Sequence, residues 1–139
     1  MNFPKYIGLD VSETAIKRCK EIFAEDETKS FFLIDDELSI AEPADLTLSL
    51  DVIYHLVEDE IYEKYMSNLF ASSKKYVCIY ASNYDTEQVG HVRHREFLPF
   101  VKERYPQFRL IKRCPNRYPY DSASENETSV SDFFFFELS

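Results

Sequence analysis

Tyr6-Ile-Gly-Leu-Asp-Val-Ser-Glu-Thr-Ala-Ile16 passes from a short apolar run that ends in an acid, through a serine, into a helical pattern. Ser12 offers a side-chain oxygen to the free backbone donors of a helix start, and Ala15, Ile16, Cys19, Ile22 and Phe23 follow at helical spacing. Strand, turn and amphipathic helix are therefore expected in order from Lys5. The pattern recurs downstream. After the polar cluster of residues 25–30, Phe31-Phe-Leu-Ile-Asp35 is another apolar run stopped by acids, and beyond Pro43, Asp45-Leu-Thr-Leu-Ser-Leu-Asp51 alternates as a third strand. From Glu58 to Ser73 the spacing puts Ile61, Tyr65, Met66, Leu69 and Phe70 on one helical face, and Tyr76 to Ala81 form a fourth strand.

A polar segment, residues 82–95, then leads to a helix around Glu96 to Tyr105. Phe108 to Arg113 and Asp132 to Leu138 are strands separated by a long loop. Strands alternating with helices build parallel βαβ units, whereas two terminal strands with no helix between them make an antiparallel pair. The consecutive Phe133 to Phe136 suit a strand buried on both faces, inside the sheet and away from its edge. The expected fold is one three-layer α/β domain over residues 1–139, with a mostly parallel sheet and an antiparallel C-terminal strand pair.

Composition limits the function. The 139 residues are 45% hydrophobic, with 12 phenylalanines and 10 tyrosines, enough for an ordinary core. A net charge of −9 argues against tracking nucleic-acid phosphates, which requires a basic face. No stretch has the apolar length of a membrane helix and residues 1–10 lack the pattern of a signal peptide, so the expected compartment is the cytoplasm. Cys19, Cys78 and Cys114 are odd in number and far apart, hence free thiols. Gly8 and Gly90 are the only glycines, so no glycine-rich phosphate loop lies within these residues.

In an open parallel sheet, ligands bind at the carboxyl ends of the strands, and three of those ends carry acids: Asp10, Asp35 with Asp36, and Asp51. Such acids can accept ribose hydroxyls or an exocyclic amine; they also serve as plain turn caps. His91-Val-Arg-His-Arg95 is the one dense cationic stretch, and Arg93 and Arg95 are candidates to receive an anionic substrate, the alternative being a solvated helix start. The His-x-x-His spacing, with His55 elsewhere, is too generic for a metal site, and no metal is expected. Arg117 and its aromatic neighbours in Asn116-Arg-Tyr-Pro-Tyr-Asp121 are candidates to line a substrate pocket or to pin the loop.

Taken together, these segments resemble the class I, Rossmann-like S-adenosylmethionine-dependent methyltransferases. Residues 6–16 look like that family's second strand and following helix, in which the acid (here Asp10) binds the ribose hydroxyls and the next residue (Val11) lies against the adenine. Ile34-Asp35-Asp36 looks like the end of the third strand, whose acid reaches the adenine amine. Asp45 to Leu56 is similar to the fourth strand and the loop beyond it, running from Asp51 past the methionine part of S-adenosyl-L-methionine toward the acceptor. The resemblance implies His55 as candidate base, since histidine titrates near neutrality, and Tyr54 as a wall or donor to the acceptor. Where DNA amino-methylating enzymes carry an Asn- or Asp-Pro-Pro-aromatic turn, this chain has Leu50-Asp-Val-Ile53, so the expected acceptor is a small molecule and not nucleic acid. One departure stands out: the family's first strand and Gly-x-Gly turn do not occur before Tyr6. That implies a gap between the second and fourth strands or their direct pairing, self-association through exposed strand edges, and weak cofactor binding with no methylation by these residues alone. The alternative function is a non-catalytic interaction module derived from the same fold.

Overall fold

In a computed structural model, which describes residues 4–34 and 42–139, β1 (Tyr6–Asp10) and β2 (Lys29–Leu33) flank α1 (Glu13–Ile22) and pair in parallel, from Tyr6 opposite Lys29 to Asp10 opposite Leu33. The Ser12 hydroxyl caps α1 by accepting from the Ala15 N–H at 3.2 Å. Ile16 and Phe31 are buried. A Cβ on Gly8 would come within 2.6 Å of the Phe31 ring, so this strand position needs glycine for the ring to cross it. Asp26, held by Lys29 and Thr28 side chains, is brought down to about 2. These elements form one compact unit; the residues after 41 form another. Asp35 and Asp36 lie outside the described residues.

The second unit holds β3 (Ala44–Leu50), α2 (Asp59–Ala71), β4 (Ser73–Ala81), α3 (Phe97–Arg104), β5 (Phe108–Cys114) and β6 (Asp132–Leu138). Its sheet has the order β3-β4-β6-β5. β3 is parallel to β4, and β6 alone runs against its neighbours β4 and β5, so the antiparallel terminal pair and the interior place of β6 are as expected. Val77, Ile79, Ala81, Phe134 and Phe136 turn to one face, where α2 and α3 cover them with Tyr62, Met66, Leu69, Phe70, Phe97 and Val101. Two polar pairs join α2 to β3: Thr47 Oγ1 donates to the Leu69 carbonyl at 3.0 Å and the Tyr65 hydroxyl to Ser49 Oγ at 2.8 Å. The free Cys78 thiol, on the opposite face of β4, is pushed up to about 11 by burial.

Two expectations need correction. Ile61 is 47% exposed, and Tyr62 takes its place in the core, because Tyr62, Tyr65, Met66, Leu69 and Phe70 keep the spacing of one helical face while Ile61 lies about 100° around the helix. β6 is fully buried on one face only. Phe134 and Phe136 meet the helices, whereas Phe133 and Phe135 are half-buried on the other face, where Phe133 packs on Tyr80 at 4.4 Å. The direct pairing of the strands here called β1 and β3 does not occur among the described residues, since they belong to separate sheets. No helix among those residues is long and apolar enough to cross a membrane.

Candidate functional site

β3 and β4 are parallel neighbours, so their carboxyl ends lie side by side. Past Leu50, Asp51 adopts φ +56°, a left-handed conformation that Asp tolerates better than most residues, while its N–H still donates to the Tyr80 carbonyl at 3.0 Å. That reversal starts a single 3₁₀ turn, Ile53–His55, in which Ile53 enters the core and Tyr54 and His55 remain partly or fully exposed. Beyond β4, residues 82–96 form a strap tied to this turn. Its tip closes by mutual Val89 and Val92 bonds around Gly90 at φ +61°, and the Arg93 N–H donates to the Tyr54 carbonyl at 2.8 Å.

The strap sets five rings in a row. His91 stacks on His55 with centroids 5.8 Å apart, His55 meets Tyr54 at 4.6 Å, Tyr54 meets His94 at 5.4 Å, and His94 stacks on Tyr84 at 5.0 Å. His94 Nδ1 lies 2.5 Å from the hydroxyl of buried Ser82, the first residue after β4. Burial, and secondarily the neighbouring His55, lower the pKa of His94 below its ordinary value. His55 Nδ1 faces the His91 carbonyl at 3.5 Å. Burial, then a hydrogen bond to Asp51, raise the Tyr54 phenol well above its usual range, so it stays a neutral donor. The Asp51 carboxylate also accepts from the buried Ser131 hydroxyl at 3.2 Å.

The arginines of the strap face other partners. Arg93 donates to Asp59 at 2.9 Å and to the Val57 carbonyl at 3.3 Å. Arg95 donates to Leu56 and Val57 carbonyls at 2.6 Å each and to Asp59 at 3.0 Å, and its side chain, only 10% exposed, lies over the Tyr62 ring. Asp59 is lowered by these bonds, that from Arg95 first. Both cations thus tie the strap to the loop before α2 and share the one carboxylate of Asp59, while Arg95 Nε is buried with no hydrogen-bond partner among the described residues. Arg117 lies over the neighbouring Tyr118 ring at 5.5 Å.

Asp51, Tyr54, His55, Arg93 and Arg95 are brought together in the second unit; in the first, Asp10 ends β1 and Val11 follows it. Asp10 Oδ1 accepts the Ser12 N–H at 2.8 Å, which is the turn-cap role, and Val11 is 75% exposed. Among the described residues no three or more His, Cys, Asp or Glu are grouped to hold a metal ion. The site also contains Ser82, Tyr84, His94 and Ser131, for which no sequence motif assigns a role. Ser82 was open to discovery, because the strand-end rule that selects Asp51 after β3 selects Ser82 after β4.

No family model and no curated protein matches the chain. Solved structures do. The N-methyltransferase NodS from Bradyrhizobium japonicum WM9 is 19% identical, with a TM-score of 0.73 over 96% of this chain and 73% of its own. Magnesium protoporphyrin IX methyltransferase (ChlM) from Synechocystis PCC 6803, with bound S-adenosylhomocysteine, is 13% identical, with a TM-score of 0.70 over 96% of this chain and 64% of its own. The mitomycin 7-O-methyltransferase MmcR is 10% identical, with a TM-score of 0.70 over 97% of this chain and 42% of its own. At such low identity the likeness is one of backbone architecture, and it covers nearly all of this chain: its fold is that of the class I S-adenosylmethionine-dependent methyltransferases.

Proposed function

We propose that the chain is an S-adenosylmethionine-dependent methyltransferase-like protein whose acceptor is a small molecule. The observation that carries this reading is the gathering of Asp51, Tyr54, His55 and His94 at the adjoining carboxyl ends of β3 and β4, where ligands of such sheets bind. ChlM and MmcR, named for small acceptors, support the acceptor class, as does the net charge of −9.

The residues fit the cofactor in part. Asp10 is exposed at a strand end, and with Oδ1 on Ser12 its Oδ2 is the oxygen for the ribose hydroxyls. Val11 offers an exposed apolar surface to the adenine, and Asp35 or Asp36 takes the adenine amine. For the methionine half, the resemblance points to Asp51. When bound, S-adenosyl-L-methionine supplies a sulfonium methyl open to in-line displacement. His55 is the base for an acceptor that carries a proton: an Nδ1–H directed at the His91 carbonyl leaves Nε2 to take it. Tyr54 walls the acceptor, Arg93 and Arg95 position the strap, and Arg117 is a further acceptor contact. With only two glycines there is no glycine-rich turn for the methionine carboxylate, so these 139 residues alone bind cofactor weakly and transfer no measurable methyl.

A calorimetric titration with S-adenosylhomocysteine tests the reading. Asp10→Ala should weaken binding by about 2–4 kcal/mol through loss of charge-assisted hydrogen bonds, with an unchanged circular dichroism spectrum. Equal affinity of variant and parent removes Asp10 from the site. The exposed Leu48 and Leu50 on β3 favour a second reading, an interaction module without catalysis, which predicts self-association and no binding of S-adenosylhomocysteine at all.

A further inference from the structure

Ser82 is only 2% exposed, and its Oγ lies 2.5 Å from His94 Nδ1. No other acceptor for the hydroxyl proton occurs among the described residues. A buried donor left unmet is costly, so Ser82 donates to Nδ1. With Nδ1 bare, a neutral imidazole carries its proton on Nε2. That nitrogen has no hydrogen-bond partner among the described residues and is not fully buried. The rest of the residue is held: the His94 N–H donates to Thr86 Oγ1 at 3.3 Å, the Thr86 N–H donates to the His94 carbonyl at 3.2 Å, and the rings of Tyr54 and Tyr84 lie against the imidazole. His55 is arranged the other way. Its Nδ1 faces the His91 carbonyl, which can only accept, so its Nε2 bears the lone pair. Two imidazoles that both pack on Tyr54 thus differ at Nε2, one offering a lone pair and the other an N–H.

We propose that Ser82 is a positioning residue that holds His94 as a neutral Nε2–H donor, and that this donor meets a carbonyl or carboxylate oxygen of the methyl acceptor. The tautomer stands on the geometry by itself; the identity of the ligand rests on the methyltransferase reading. His94 neither gives up nor takes a proton. It keeps its N–H while His55 receives the proton of the atom that gains the methyl group, so the acceptor carries an oxygen lone pair beside its nucleophile. Protonating His94 would make Nδ1 a donor and turn the Ser82 hydroxyl proton away with no acceptor, so the ring resists charge, as it also does through burial.

The test is long-range nitrogen-proton NMR of the histidine rings in the labelled chain. At pH 7.5 the expected result is a bare Nδ1 and a protonated Nε2 on His94. Ser82→Ala should raise the titration midpoint of His94 toward the ordinary 6.5, and Ser82→Thr, which keeps the hydroxyl, should leave it low. A protonated Nδ1 in the parent, or an unchanged midpoint in Ser82→Ala with a native spectrum, overturns the positioning role. N-methylacetamide and acetate then probe the donor as carbonyl and carboxylate, with tetramethylammonium as a control that has no oxygen. An oxygen probe should move the His94 Nε2 signal saturably, the control should not, and the accompanying shift at Tyr84 should need about tenfold more probe in His94→Phe. Silence of Nε2 with both oxygen probes overturns the acceptor contact, and the tighter of the two tells carbonyl from carboxylate. A parallel titration with S-adenosylhomocysteine separates the two readings. An oxygen probe that binds where S-adenosylhomocysteine does not keeps the donor and removes the methyltransferase reading. Binding of both at once supports the acceptor contact, and displacement of one by the other assigns the Nε2–H to the cofactor and overturns it.

Discussion

Ser82 and His94 are twelve positions apart in sequence and 2.5 Å apart in space. At that separation His94 is legible in the sequence only through its neighbours, as part of a cationic run or a generic His-x-x-His pair. What holds the imidazole is a strand-end serine on one side and two tyrosine rings on the others, none of them adjacent to it in the chain. A lowered histidine pKa has a defined consequence for stability. Below its ordinary 6.5 the unfolded chain takes up a proton that the folded site resists, so the stability linked to His94 is complete above about pH 6.5 and is lost as the pH falls toward the folded value. Urea midpoints measured between pH 8 and 5 should fall for the parent, and His94→Gln should flatten part of that fall while lowering the midpoint at pH 8 through loss of the Ser82 bond. Parallel profiles for the two proteins would mean that His94 titrates alike in the folded and unfolded chain.

At the scale of elements, the order and kind of the strands and helices were legible because each apolar run is closed by acids, a proline or a polar cluster. Faces were less legible. Four consecutive phenylalanines carry no alternation, so nothing in residues 133–136 says which pair turns inward. Register decides it: Phe134 lies opposite Ile79 and Phe136 opposite Val77, and α2 and α3 cover that side. In α2, Ile61 and Tyr62 are both apolar enough to be buried, and Tyr62, which shares the helical face of Met66, Leu69 and Phe70, packs on Phe100 and under Arg95. Phe134→Ala should therefore cost about 3–5 kcal/mol, whereas Phe133→Ala, at a half-buried position, should cost less than about 2 kcal/mol. Chemical denaturation of the two variants checks the order, and a larger loss for Phe133→Ala would mean that the outer face is the better packed one.

For the whole molecule, the two edges of the four-stranded sheet differ in how they are guarded. β5 carries Arg109, Lys112 and Arg113 and a register shift between Leu110 and Lys112, features that discourage a further strand from pairing. β3 has Asp45 near its start and then Leu46-Thr-Leu-Ser-Leu50 without a charge, a proline or a bulge, and Leu48 and Leu50 are exposed. Among the described residues it pairs on one side only, with β4. Self-association through β3 is the expected outcome, and Leu48→Lys should suppress it by putting a charge on the open edge. Salt dependence identifies the force. Two copies at −9 each repel, so added sodium chloride screens that repulsion and should strengthen an association built on strand pairing and apolar burial, whereas one built on ion pairs would weaken. Light scattering over a range of concentrations, at low and at physiological ionic strength, distinguishes these cases. A species that stays monomeric in both buffers, for the parent as for Leu48→Lys, would show that the β3 edge does not act as a template in solution.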